Sequence, residues 1–172
     1  MTRILIIDDH PMMREALVTA LEGEEDMKVI GEASNGIEGI KLVDEQKPDL
    51  ILMDLLMPGM DGLEAIAAIV EKNPEAKILV ITSLEDEDKV VSAIQSGALG
   101  YFPKTAPRTY LLEAIRKVAD GIPYLPSGIA LKLFKGIRGM RGPLKSTADE
   151  PLTPRQEEIL AVRRGVAAPL LV

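Results

Sequence analysis

The feature that most constrains this chain is an alternation of two textures over its first 120 residues. Short runs rich in Ile, Leu and Val (RILIID, KVIGEA, DLILMD, KILVIT, GYFP) are separated by stretches whose apolar residues recur at helical spacing. Those stretches are PMMREALVTALEG, GIEGIKLVDEQ, DGLEAIAAIVEKN, DEDKVVSAIQSG and PRTYLLEAIRKVADG. Five strands alternating with five helices predict a doubly wound α/β fold around a five-stranded parallel sheet. LILM and ILVI lack polar alternates, the pattern of central strands covered on both faces. Punctuation agrees: Pro11 suits a first helical turn, Asp61 with Glu64 forms a cap signal, and Gly97 and Gly121 follow helical stretches.

In such a sheet, ligands sit outside the carboxyl ends of the strands, where the strand order reverses. The first strand delivers Asp8 and Asp9 to that edge, the third Asp54, the fourth Thr82 and Ser83, and the fifth leads to Lys104. Read singly, each has an ordinary explanation. Adjacent acids open solvated loops, threonine is common in strands and lysine on surfaces. Together they form an oxygen-rich site with neither a Cys nor a His partner, which suits a hard cation, Mg²⁺ above all. Adjacent carboxylates repel, and a bound cation is the usual compensation. Lys104 is a point charge able to hold a phosphoryl oxygen, and Thr82 can donate to another. Asp54 precedes the turn-forming LLMPGMDG, so its carboxylate is expected to be reachable from solvent and nucleophilic toward phosphorus. His10 is expected to face solvent, and the methionines near the site to fill gaps in packing.

IIDDHP, LILMDLLMPGMDG, VITS and GYFPK, in this order and spacing, resemble the receiver domain of bacterial response regulators. The DDHP form and LTPRQEEIL further on are similar to the NarL/FixJ (LuxR-type) subfamily, and the resemblance spans residues 2–165. It implies a flavodoxin-like receiver in which Asp54 accepts a phosphoryl group from the phosphohistidine of a sensor histidine kinase. It further implies that Asp9 and Asp54 ligate Mg²⁺ directly, Asp8 acts through water, and the backbone carbonyl of Leu56 completes the metal ligands. Lys104 would pair with the acyl phosphate, and Thr82 would swing toward it, vacating space for Tyr101. Leu56 and Leu84 would influence how long the phosphoryl group persists. The face built from residues 84–104 would carry the output. The protein would be a phosphoacceptor rather than an enzyme.

Domains are expected at 1–121 (receiver), 122–151 (linker with a short helix from about Ser127 carrying Lys132, Lys135 and Arg138) and 152–172. In the last, Thr153, Pro154 and Gln156 make a capping signal. By resemblance this begins a DNA-binding domain, but VAAPLLV stands where a recognition helix is expected. DNA reading is therefore expected of an intact parent protein and not of this chain. The formal charge of −7 agrees, since acidic chains bind nucleic acid poorly as a whole. No cysteine is present, which removes disulfides and thiolate sites. No apolar run approaches the ~20 residues that span a bilayer. The amino terminus lacks a signal-peptide cleavage site, so a cytoplasmic protein is expected. A homodimer is a further expectation. Two alternatives stand beside the leading reading. A Mg²⁺-dependent aspartyl-phosphate phosphohydrolase would place nucleophile and acid two residues apart after the first strand. A stand-alone receiver would act as a phosphate sink or dimerisation partner.

Overall fold

The computed structural model describes residues 1–83 and 86–140, with side chains described as far as Gly136. Leu84, the segment 141–151 and the expected cap and helix within 152–172 lie outside them. Five strands and six helices follow in the order β1 (Thr2–Ile7), α1 (Pro11–Leu21), β2 (Met27–Ala33), α2 (Gly36–Gln46), β3 (Leu50–Met53), α3 (Gly62–Lys72), β4 (Ile78–Thr82), α4 (Glu87–Gln95), β5 (Gly100–Pro103), α5 (Arg108–Ala119) and α6 (Ser127–Met140). The five strands form one parallel sheet ordered β2-β1-β3-β4-β5. This is the flavodoxin-like order, with its reversal between β1 and β3.

The unbroken apolar runs are explained by two cores. Successive strand side chains point to opposite faces. Ile4, Ile6, Leu50, Leu52, Leu79 and Ile81 pack with Leu17 and Leu21 of α1 and with Leu111, Ile115 and Val118 of α5. Leu5, Ile7, Ile51, Met53, Ile78 and Val80 pack on the other face with Val43 of α2, Ile66 and Ile69 of α3, and Ala93 of α4. The expected cap on α3 forms: Asp61 Oδ1 accepts the Glu64 N–H at 2.9 Å, and Glu64 Oε2 accepts the Asp61 N–H at 3.1 Å. The side chains of Asn35 and Asp86 cap α2 and α4 by accepting first-turn N–H groups, without the reciprocal bond seen on α3.

Beyond Gly121 the expected short helix forms, and the segment before it makes contacts with the sheet edge. The compact unit runs from Met1 through Phe134. Tyr124 adds a parallel bridge along the edge of β5: its carbonyl accepts the Tyr101 N–H at 2.9 Å, and its N–H donates to the Leu99 carbonyl at 3.3 Å. Ile129 of α6 is buried, and Lys132 pairs with Glu87 at 2.7 Å and Asp88 at 3.2 Å. The sixth helix is thus the predicted linker helix, fourteen residues long. Its contacts with α4 include these exposed ion pairs, of small individual worth.

Ion pairs also tie α5 to the loop before β2. Arg116 Nε meets Asp26 at 2.8 Å and its Nη2 meets Glu24 at 2.8 Å. The Arg116 hydrogen bond holds the Asp26 carboxyl below the usual range. Backbone and hydroxyl donation from Ser34 does this for Glu38, and Lys72 for Asp44. Each group, lowered in the folded state, contributes stability that is present above about pH 4 and lost as pH falls through the folded value. The urea midpoint is therefore expected to decline as pH falls below about pH 4, and Asp26→Asn to make that decline shallower. An unchanged acid slope in the variant would show the Arg116–Asp26 pair to be uncoupled from folding.

Candidate functional site

The carboxyl ends of β1, β3, β4 and β5 converge because each ladder continues one residue past its strand. The Asp8 N–H donates to the Ala33 carbonyl at 3.1 Å, the Asp54 N–H to Ile7 at 2.9 Å, and the Lys104 N–H to Thr82 at 3.0 Å. These bonds fix the backbones of the site residues as firmly as those of the sheet. Among the described residues, the buried polar or charged ones are Asp8, Asp54 and Thr82. All three stand at this one edge.

Lys104 lies across the site. Its Nζ donates to Asp54 Oδ2 at 2.9 Å and lies 2.6 Å from Asp8 Oδ2. Burial alone would lower the lysine's pKa, but hydrogen bonds to Asp8 and Asp54 outweigh it and raise the value. The ammonium therefore stays charged at neutral pH. The remaining carboxylate oxygens of these two residues accept backbone donors: Leu56 N–H to Asp54 Oδ1 at 3.2 Å and His10 N–H to Asp8 Oδ1 at 2.8 Å. Asp54 is 2 % exposed. This corrects the expectation that its carboxylate is open to solvent. Lys104 and the Leu56 backbone cover it, while the Leu56 side chain itself is 40 % exposed.

Asp9 completes the cluster differently. Its Oδ1 is shielded yet accepts no hydrogen bond among the described residues; the His10 ring nitrogen Nδ1 lies 2.9 Å away, within ion-pair distance. Asp8, Asp9, His10 and Asp54 each offer a ligand atom, and these atoms lie within 4.8 Å of one another. Among the described residues three carboxylates face one ammonium, with the His10 ring beside two of them, so negative charge is in excess. An unsatisfied oxygen in a hard-donor set with that surplus fits a divalent cation.

Thr82 and Tyr101 share a face. In the β4–β5 register Val80 is beside Tyr101 and Thr82 beside Pro103, so Tyr101 and Thr82 are one pleat apart on the same side. Tyr101 is half-buried against the α2–α4 core. Two contributors were not singled out from sequence. Arg14 Nη1 donates to the Asp8 carbonyl at 2.7 Å while its Nε meets Glu32 at 3.3 Å. Gly62 packs against the Asp54 and Leu55 backbone. Arg14 has the spacing of any helix-surface arginine, whereas the helix-start glycine after Asp61 was a usable signal. No helix among the described residues is long and apolar enough to cross a membrane.

Comparison with known proteins places the chain in a family. Residues 4–116 match the response regulator receiver domain family. The transcriptional regulatory protein LiaR of Bacillus subtilis (strain 168) is 44% identical over 94% of this chain and 76% of LiaR. The nitrate/nitrite response regulator protein NarL of Escherichia coli (strain K12) is 40% identical over 91% of this chain and 72% of NarL. A crystal structure of a LuxR-family two-component response regulator from Aurantimonas sp. SI85-9A1 superposes with a TM-score of 0.72 at 31% identity. It covers 80% of this chain and 98% of that one.

Proposed function

The chain belongs to the response regulator receiver domain family of two-component signalling, of NarL/LuxR type, and from that premise we propose that Asp54 is its phosphoacceptor and a sensor histidine kinase its donor. The observation that carries this reading is the meeting of buried Asp8, Asp54 and Thr82 with Lys104 at one sheet edge. Asp9, Asp54 and the Leu56 backbone carbonyl would hold Mg²⁺ directly and Asp8 through water. The cation supplies positive charge that offsets the oxygens of the transferring group.

An oxygen of Asp54 forms a bond to phosphorus as the P–N bond of the phosphohistidine breaks. The electron pair of the broken bond stays with the departing imidazole. Lys104 covers Asp54 before transfer. It needs to move only far enough to exchange an Asp54 oxygen for a phosphoryl oxygen, keeping its contact with Asp8. The acyl phosphate adds charge and strong acceptors, and the Thr82 hydroxyl donates to one of them. Tyr101, one pleat away, follows into the space Thr82 leaves. Its backbone N–H is bonded to Tyr124, and α4 is paired with Lys132, so the change reaches α6 through two connections. The two states differ by the contact energy gained at the phosphoryl group, which sets how far the population moves. A cytoplasmic location and a homodimer belong to the same reading. Transcription control, which LiaR's name describes, is the proposed output.

Incubation with acetyl phosphate and Mg²⁺, followed by intact mass, tests the acceptor. The native chain is expected to gain one hydroxylamine-labile phosphoryl group and Asp54→Ala none. Equal labelling of both would move the acceptor elsewhere. No labelling of the native chain by acetyl phosphate or by a phosphorylated kinase would overturn the reading.

A further inference from the structure

We propose that His10 is a nitrogen ligand of the cation site, which gives this receiver a preference for divalent transition metals of the Mn²⁺–Co²⁺ class beyond that of an all-oxygen site. The inference rests on the metal reading of the acid cluster. The backbone sets the ring's position. His10 precedes Pro11, which keeps it extended (φ −88°, ψ 111°), and its N–H is anchored on Asp8 Oδ1. It occupies the cap position of α1 without a side-chain cap hydrogen bond, so the ring is not engaged by the helix. Instead Nδ1 lies 2.9 Å from Asp9 Oδ1 and 3.4 Å from Asp8 Oδ1.

Those separations have a simple geometric meaning. Two adjacent ligands at right angles around one cation, each bound at about 2.1 Å, stand about 3 Å apart. Nδ1 makes an ion-pair contact with Asp9 Oδ1, and that oxygen accepts no hydrogen bond among the described residues, so the pair can open onto a shared cation without breaking one. With Asp54 also within 4.8 Å, the cluster offers three oxygens and one imidazole nitrogen. Imidazole adds little for Mg²⁺, which demands oxygen and retains water, and adds much for later first-row metals. The ring is mostly exposed, its side chain 66 % accessible, so it can adjust about χ1 without repacking the core.

The test uses Mn²⁺ and Co²⁺ alone, added to the untagged full chain and to His10→Gln. The chain has one histidine, so an imidazole signal has one source. Pulsed electron paramagnetic resonance of bound Mn²⁺ is expected to show ¹⁴N modulation in the native chain and none in His10→Gln. The Co²⁺ dissociation constant is expected to rise about tenfold in the variant, while that for Mg²⁺ changes less than about twofold. Mn²⁺ bound without nitrogen modulation in the native chain would overturn the role of His10 and leave the oxygen site intact. No Mn²⁺ binding at all would overturn the metal reading as well.

Discussion

Gly62→Ala is expected to destabilise the chain by about 3 kcal/mol and to depress phosphoryl labelling of Asp54, through one contact. A Cβ at Gly62 would lie 2.2 Å from the Asp54 carbonyl oxygen and 2.6 Å from Leu55 Cα. Both are backbone, so no side chain can rotate away. Gly62 is the first residue of α3, and its N–H donates to the Leu55 carbonyl at 3.1 Å. Relief requires one of two movements. Helix α3 can retreat, withdrawing buried Ala65, Ile66 and Ile69, or the Asp54 peptide can shift off the Ile7 carbonyl that holds it. Overpacking that moves backbone costs about 1–3 kcal/mol and sometimes more, a large share of a typical 5–15 kcal/mol total. Gly59→Ala is the control. Gly59 has φ +80° with nothing near its would-be Cβ, so it carries only backbone strain of about 1 kcal/mol, and labelling should survive. Urea midpoints and acetyl phosphate labelling of both variants decide the matter. If Gly62→Ala loses no more than Gly59→Ala, the close approach is not what positions Asp54.

That glycine illustrates which parts of the molecule were legible in sequence. The strands were, because LILM and ILVI are long enough in apolar residues to require cover on both faces, and the two cores supply it. The site was legible for a topological reason. Asp8, Asp54, Thr82 and Lys104 each close or follow a strand, and a doubly wound sheet gathers those ends. What could not be read depends on distances between elements. The sealing of Asp54 follows from where the Lys104 ammonium comes to rest, which spacing along the chain does not specify. Lys132 was visible as a helix-surface cation, but its partners Glu87 and Asp88 stand more than forty positions away and look like solvated acids. Tyr124 pairs with the β5 edge through backbone groups alone, so its side chain carries no signal of the bridge.

Lys104→Met carries the second large effect, and its sign with added cation is the informative part. Lys104 is 12 % exposed and bridges two carboxylates that are each 2 % exposed. Removing one partner of a buried ion pair leaves the other charge uncompensated, at a cost of about 3–5 kcal/mol. Here the loss leaves Asp8, Asp9 and Asp54 with no nearby ammonium, so destabilisation of about 3 kcal/mol is expected at neutral pH. The lysine's value is raised in the folded state, so its contribution is fully present below about pH 10 and lost only as pH rises through the higher folded value. Between about pH 6 and pH 9 the ammonium's own ionisation is therefore constant and adds no pH dependence to the native chain's stability. Divalent cation should act in the opposite sense to the mutation. In the native chain Mg²⁺ would share the acids with an ammonium. In Lys104→Met it meets the same carboxylates without that competition, so it binds more tightly and stabilises by mass action to a greater degree. The thermal midpoint of the variant is expected to start lower than that of the native chain and to rise further on saturation with Mg²⁺. Acetyl phosphate labelling should remain well below native even then, because the cation would restore charge balance but not the ammonium proposed to follow the phosphoryl oxygen. Equal Mg²⁺-induced shifts in the two proteins would show that Lys104 and the cation do not act on the same carboxylates, and would separate the ion pair from the site's chemistry.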